Sequence, residues 1–324
     1  MLYLSLFGHL SVARCDGDVR SRAVAISGRP GGLLAYLALS KGRFFTRNEL
    51  ITTLWSDQRD AIGVGTFNTT LWRLRKALEQ PPLAQGEIVV CDRRGIVGLP
   101  TDAQLQLDVD DFERLVAPSL RKPMEHLDES DIANLRHGVS LYRDDILTGF
   151  SDDWALRVRE MHRRMMLNAL GRLMQLSVLS QDHPGAIRYA QDILDRDPLR
   201  EDTHRELMRL FIVSGQRAMA LRQFELCRSA LRKELAIQPM RETLAVYQQI
   251  ADSAIGRGGE EIATPAHDPS HGALLGLASG GAAQPMNRAA RQLIENARRY
   301  LAQADAQLQQ SLPFFDDDVP RQPH

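Results

Sequence analysis

The stretch GTFNTTLWRLRKAL, residues 65–78, decides how the first third of the chain folds. Phe67, Leu71, Leu74 and Leu78 fall at i, i+4, i+7 and i+11, which predicts a helix with one narrow buried stripe. At 100° per residue the opposite side carries Gly65, Thr66, Thr69, Trp72, Arg73 and Lys76. Pro81–Pro82 stops this helix. Upstream, Thr46–Arg47–Asn48–Glu49 is a capping-box pattern, and the helix it opens presents Leu50, Leu54 and Trp55. An earlier helix begins near Pro30, shows Leu33, Leu34, Leu37 and Ala38 on one face, and ends at Gly42. Before it the period drops to two. Leu2, Leu4 and Leu6 alternate with Tyr3, Ser5 and Phe7, and Asp16–Gly17–Asp18 supplies a hairpin turn ahead of Val24 and Ile26. After it, Glu87–Val90 and Ile96–Leu99 flank Cys91–Asp92–Arg93–Arg94–Gly95, a second hairpin with two arginines at its tip. Three short helices bounded by strands and closed by this hairpin outline an α+β winged helix-turn-helix over residues 1–100.

From about Asp108 the pattern is wholly helical. Ala186–Ile187–Arg188 superimposes on Ala220–Leu221–Arg222 at an offset of 34 residues, and Pro198–Leu199–Arg200–Glu201 on Pro239–Met240–Arg241–Glu242 at 41. That period predicts tetratricopeptide-like helical pairs over residues 101–255, with about two extra helical turns in the later unit. Each pair must stack on its neighbours to bury its apolar face. Residues 256–286, rich in Gly, Ala, Ser and Pro, read as a flexible linker. In 287–324, Leu293, Ala297, Leu301, Ala304 and Leu308 form one helical stripe ahead of an acidic tail.

The 324 residues are 44% hydrophobic and 25% charged, ordinary for a soluble globular chain. Apolar runs such as Gly32–Ser40 fall far short of the roughly 18–20 residues of a membrane span. The N-terminus has no basic region ahead of an apolar one. Cys15, Cys91 and Cys227 are widely spaced, with no CxxC and no companion histidines. The expectation is a cytoplasmic protein with no disulfide framework, no metal site, no cofactor and no membrane contact. Phosphate-loop, HExxH, GxSxG and GxGxxG motifs are lacking, so an enzyme is not expected. His162, His183 and His204 read as packing or solvent-facing histidines, and Asp110–Asp111, Asp144–Asp145 and Asp152–Asp153 as solvated helix starts.

The net charge of −1 conceals an asymmetry. Residues 1–100 hold thirteen Lys/Arg against eight Asp/Glu, whereas residues 101–255 hold twenty-one against twenty-five. A basic N-terminal third suits a polyanion. A helix enters a DNA major groove when one face is anchored by a core and the other offers short hydrogen-bonding side chains and cations. Thr66 and Thr69 suit thymine methyls or base edges, Arg73 a fork to guanine, and Lys76 a phosphate. Arg93 and Arg94 suit a wing laid along the minor groove. Trp72 on the same face requires a cover, either a ligand or the wing itself. The start of the helix at Thr46 offers backbone donors to a phosphate besides its capping role.

Leu6–Phe7–Gly8–His9–Leu10–Ser11–Val12, Leu33–Leu34–Ala35–Tyr36–Leu37–Ala38–Leu39, Glu49–Leu50 with Leu54–Trp55, and Leu74–Arg75–Lys76–Ala77–Leu78 resemble the SARP-type transcriptional activators. So do Leu107–Asp108–Val109–Asp110–Asp111–Phe112, Leu141–Tyr142–Arg143–Asp144 with Asp153–Trp154, and Asp197–Pro198 with Glu201 and Gly215. These activators join an OmpR-type winged helix to a bacterial transcriptional activator domain of tetratricopeptide-like helices. The resemblance spans about residues 2–252. It implies a sequence-specific activator that binds direct repeats in double-stranded promoter DNA as a homodimer and recruits RNA polymerase through its sigma or alpha subunit. It also implies a cytoplasmic, nucleoid-associated protein. It makes the third helix the recognition helix, with Thr66, Thr69, Arg73 and Lys76 facing DNA and Asn68 and Thr70 reaching the backbone. Ser56–Gly63 corresponds to the segment such activators present to polymerase. Two residues depart from the pattern: Gly63 stands where alanine is usual, and Ile96 replaces the tyrosine usual after the wing glycine. The competing expectation is a peptide-binding adaptor of tetratricopeptide type whose winged helix binds no DNA.

Overall fold

Alternation drives Leu2 and Leu4 of β1 (Leu2–Ser5) into the core. The computed structural model describes residues 1–16, 19–55, 64–81, 83–84 and 86–255. The Gly17–Asp18 turn, Pro82, the Ser56–Gly63 loop with Gly63, the linker 256–286 and the helix and tail of 287–324 lie outside the described residues. β1 pairs antiparallel with β2 (Ser11–Asp16), which pairs in turn with β3 (Val19–Val24). On its other side β1 pairs in parallel with β7 (Leu105–Leu107), Leu2 opposite Leu105, giving the order β3-β2-β1-β7. β7 lies beyond residue 100, so the N-terminal sheet ends at Leu107 and not at the expected boundary. The chain enters its next helix one residue later.

Three helices pack beside the sheet: α1 (Gly28–Leu39), α2 (Arg47–Leu54) and α3 (Val64–Leu78). The four residues of the α3 stripe are all buried, as are Leu50, Leu54 and Trp55. β5 (Val90–Cys91) and β6 (Val97–Gly98) form the hairpin, and β4 (Phe44–Phe45) adds to β6. This hairpin is shorter than its sequence suggests. The N–H groups of Ile88 and Val89 donate to the Glu79 carboxylate, at 3.2 and 2.9 Å, and not to a ladder.

The rest is helical: α4 (Asp108–Arg121), α5 (Glu129–Leu141), α6 (Asp153–Leu179), α7 (His183–Arg196), α8 (Glu201–Val213), α9 (Arg217–Leu235) and α10 (Arg241–Ile255). Consecutive members pack on one another, as the repeat reading requires. Ala186 and Ala220 are each the fourth residue of their helix, α7 and α9, and both are fully buried. α9 has 19 residues against 14 for α7, which supplies most of the extra length expected of the later unit. The two matched proline segments also meet in space. Glu201 accepts from the Met240 N–H at 2.9 Å and the Thr243 hydroxyl at 2.7 Å, which closes the start of α10.

His162 and His204 pack inside. His162 lies between the Val158 carbonyl and Glu113, and His204 between the Pro198 carbonyl and Gln223. Burial pushes the Cys227 thiol up to about 12. Asp144–Asp145 does not start a helix, contrary to expectation. It follows α5, where Asp145 accepts from the Tyr142 hydroxyl at 2.8 Å.

The two halves share one core. Asp108, 5% exposed at the start of α4, accepts from the Leu6 N–H at 2.8 Å, the Phe7 N–H at 3.2 Å and the Ser5 hydroxyl at 2.7 Å. The segment before α6 then runs beside residues 6–8. Leu147 N–H donates to the Leu6 carbonyl, and Gly8 N–H to that of Asp145. Phe7 meets Phe112 and Tyr142, with ring centroids 5.4 and 4.6 Å away, and Tyr36 of α1 meets Trp154 of α6 at 5.3 Å.

Asp108→Ala leaves buried N–H groups unsatisfied and should cost about 3 kcal/mol, read as a lowered urea midpoint. A loss under about 1 kcal/mol would show that the carboxylate does not hold the joint. Burial lowers the His204 pKa below its ordinary 6.5. The unfolded chain therefore takes up that proton first, so the neutral imidazole's contribution is complete above about pH 6.5 and is lost as pH falls through it. Melting temperature should drop between pH 7.5 and 5.5, and less steeply in His204→Gln; equal slopes would contradict this.

Candidate nucleic-acid interface

α3 is clamped along one side, and this fixes what the other side presents. Its buried stripe faces α1 and α2. At its C-terminal end Arg75 donates to the Val89 carbonyl through Nε and Nη2, at 3.1 and 2.6 Å. Glu79 accepts from the N–H groups of Gly86, Ile88 and Val89. One cation and one carboxylate, a helical turn apart, thus tie the helix to the base of the hairpin.

The hairpin turn is held by Asp92. Its carboxylate accepts from the Ile96 N–H at 2.8 Å, its own N–H donates to the Ile96 carbonyl, and Gly95 donates back to the Asp92 carbonyl. Gly95 has φ +82, and a Cβ there would lie 3.1 Å from Nε of Arg47. Only glycine suits that backbone and that approach. The turn therefore sits on the Arg47 guanidinium at the start of α2, while Arg93 and Arg94 stay exposed at the tip. Thr46 completes the capping box: its hydroxyl accepts from the Glu49 N–H, and Glu49 accepts from the Thr46 N–H at 2.7 Å. These bonds hold the Glu49 carboxyl below its usual range.

Thr66, Asn68, Thr69, Trp72, Arg73 and Lys76 are all exposed on α3. Thr66, Thr69 and Arg73 border a groove whose other wall is Ser27, Gly28 and Arg29 at the start of α1. Asn68 and Trp72 lie on the flank nearer Arg75 and Glu79, hence nearer the hairpin. The Thr69 hydroxyl donates to the Gly65 carbonyl at 2.9 Å. Among the described residues, Arg73, Arg93 and Arg94 form no hydrogen bond or ion pair within the chain. α3 itself contains no carboxylate.

Thr70 is a correction. It was expected to reach the DNA backbone, but it is 6% exposed and its hydroxyl donates to the Thr66 carbonyl at 2.9 Å. At 40° around the helix from Thr66 it has already turned toward α1. Trp72 is not covered by the wing: it is 55% exposed, with the Lys76 ammonium 4.8 Å from its ring centroid. Sequence reasoning did not single out Arg47, Arg75 or Glu79. The position of Glu79 just past a helix end facing a strand was the one available signal, and many surface glutamates share it.

Among the described residues no three His, Cys, Asp or Glu are placed to hold a metal ion, and no helix is long and apolar enough to cross a membrane. Residues 21–96 match the family described as "Transcriptional regulatory protein, C terminal", and residues 107–251 match "Bacterial transcriptional activator domain". Regulatory protein AfsR of Streptomyces coelicolor is 27% identical over 253 residues, which are 77% of this chain but 24% of that much longer protein. Regulatory protein DnrI of Streptomyces peucetius is 25% identical over 246 residues, covering 73% of this chain and 89% of its own length. The structure of Mycobacterium tuberculosis EmbR, solved with a low-affinity phosphopeptide, superimposes with a TM-score of 0.60 at 16% identity. That likeness covers 78% of this chain and 65% of EmbR, and it concerns the fold. The two matched families are those of transcriptional regulators and not of enzymes. With a DNA-binding winged helix followed directly by a bacterial transcriptional activator domain, the chain belongs to the SARP family of transcriptional regulators.

Proposed function

We propose that this regulator is a sequence-specific activator that binds repeated sites in promoter DNA and recruits RNA polymerase. The observation that carries this reading is the exposed face of α3, where Thr66, Thr69, Arg73 and Lys76 stand with no carboxylate among them while the opposite face is locked in the core. Such a face can enter a major groove, with Arg73 forking to a guanine and the threonines on base edges or thymine methyls. Asn68, Lys76 and the donors near Thr46 hold phosphates. Arg93 and Arg94, free at the tip of a turn braced on Arg47, lie along the adjoining minor groove. The match to a bacterial transcriptional activator domain supports activation as the output. In this reading two copies occupy adjacent repeats as a homodimer, the sigma or alpha subunit of polymerase is the partner, and the protein acts at the nucleoid in the cytoplasm.

Selection of the full chain against a random duplex library should enrich a direct repeat; recovery of unenriched sequence would refute the reading. On the selected site Arg73→Ala should cost about 1–3 kcal/mol and relax preference at one base pair. Lys76→Ala should weaken all sites alike and lower the salt slope. Identical behaviour of the two variants would contradict the division between base reading and phosphate holding. Glu79→Ala should loosen the wing from α3 and weaken every site without changing preference, measured in the same titration.

A further inference from the structure

Trp72 is the most exposed large apolar side chain described in the N-terminal region, at 55% against 51% for Met1 and 45% for Phe44. Its exposure is not a lapse of the core. The chain's two other tryptophans, Trp55 and Trp154, are 2% and 4% exposed. The indole stands on α3 between Asn68 and Lys76, one helical turn from each, about 50° from the middle of the exposed face. The Lys76 ammonium, 4.8 Å from the ring centroid, limits the indole's freedom and places a cation over one of its faces. The only formal charges on α3 are positive.

An apolar plate surrounded by cations and hydroxyls fits a partner that is anionic overall yet offers a discrete apolar spot. Duplex DNA offers one such spot in its major groove, the 5-methyl group of thymine. A protein partner's patch of Leu, Ile or Phe fits this surface poorly, because among residues 65–78 of α3 no other large apolar side chain is exposed.

We propose that Trp72 reads a thymine methyl in each half-site, on the hairpin side of the groove, and so determines sequence preference at a base pair that Arg73 does not touch. This rests on the DNA-reading function proposed above. Packing one methyl against the indole removes about one methyl's worth of apolar surface from water, which corresponds to about a fourfold change in affinity.

The test uses the full chain and the duplex selected from the random library. Each thymine is replaced singly by deoxyuridine, which lacks only the 5-methyl group. The unmodified protein should bind about fourfold more weakly when one particular thymine per half-site is changed, and Trp72→Ala should bind the dT and dU duplexes equally. Trp72→Phe should restore part of the difference. Since Trp72 is exposed, Trp72→Ala should melt at the temperature of the parent chain. Acrylamide quenching supplies an independent readout, because Trp72 is the one exposed indole: duplex should protect it, and Trp72→Ala should lose the quenchable component. Methyl sensitivity at no position, or sensitivity that persists in Trp72→Ala at every thymine where the parent shows it, overturns the role of Trp72 while leaving DNA reading intact. Protection of the indole by polymerase and not by duplex overturns it in favour of a protein contact. Failure to enrich any sequence overturns both readings together.

Discussion

The Asp108 carboxylate is the joint on which the arrangement depends. It sits at the first turn of α4, where a negative charge is favoured, and it satisfies the backbone donors that β1 leaves free as it turns away from the sheet. The end of β1 carries unpaired N–H groups, and this one side chain answers for them from the start of a helix about a hundred residues on. Around it the aromatic rings of Phe7, Phe112 and Tyr142 close the space, and burial with Asp145 raises the Tyr142 pKa so that its hydroxyl stays protonated as a donor. α3 and the helical repeats are therefore parts of one compact unit.

A second clamp, Arg75 with Glu79, works within the winged helix on the same logic. The chain between α3 and β5 is short of ladder partners, and Glu79 accepts three of its N–H groups. The exposed side chains of α3 and the arginines of the turn are in this way held in fixed relation. A surface that reads DNA by geometry needs its supports to be rigid before the ligand arrives.

Much of this was legible in the sequence because it is local. The α3 stripe, the Thr46–Glu49 box and the Asp92–Gly95 turn each specify their structure within a dozen residues. The exposed face followed from the stripe by rotation alone; Thr70, which only the family resemblance assigned to the DNA backbone, lies outside that face, at the border where 40° separates solvent from a neighbouring helix. β4 and β7, two and three residues long, are too short to show a period. The partners of Asp108 are about a hundred residues away in sequence, so nothing near it distinguishes it from Asp110 or Asp111. The matched segments, 21–96 and 107–251, likewise pass over β1 and most of β7, the strands through which the halves are joined.

The parallel pairing of β1 with β7 bears on where this protein can be divided. Cutting after residue 100, where the sequence suggests a seam, removes β7 and leaves the flank of β1 with its carbonyl and N–H groups open. An uncovered flank of alternating leucines is a template for strand addition from other molecules. Such a piece is prone to self-association, whatever the quality of its three helices. The smallest N-terminal piece that keeps its sheet closed extends past Asp108 into α4.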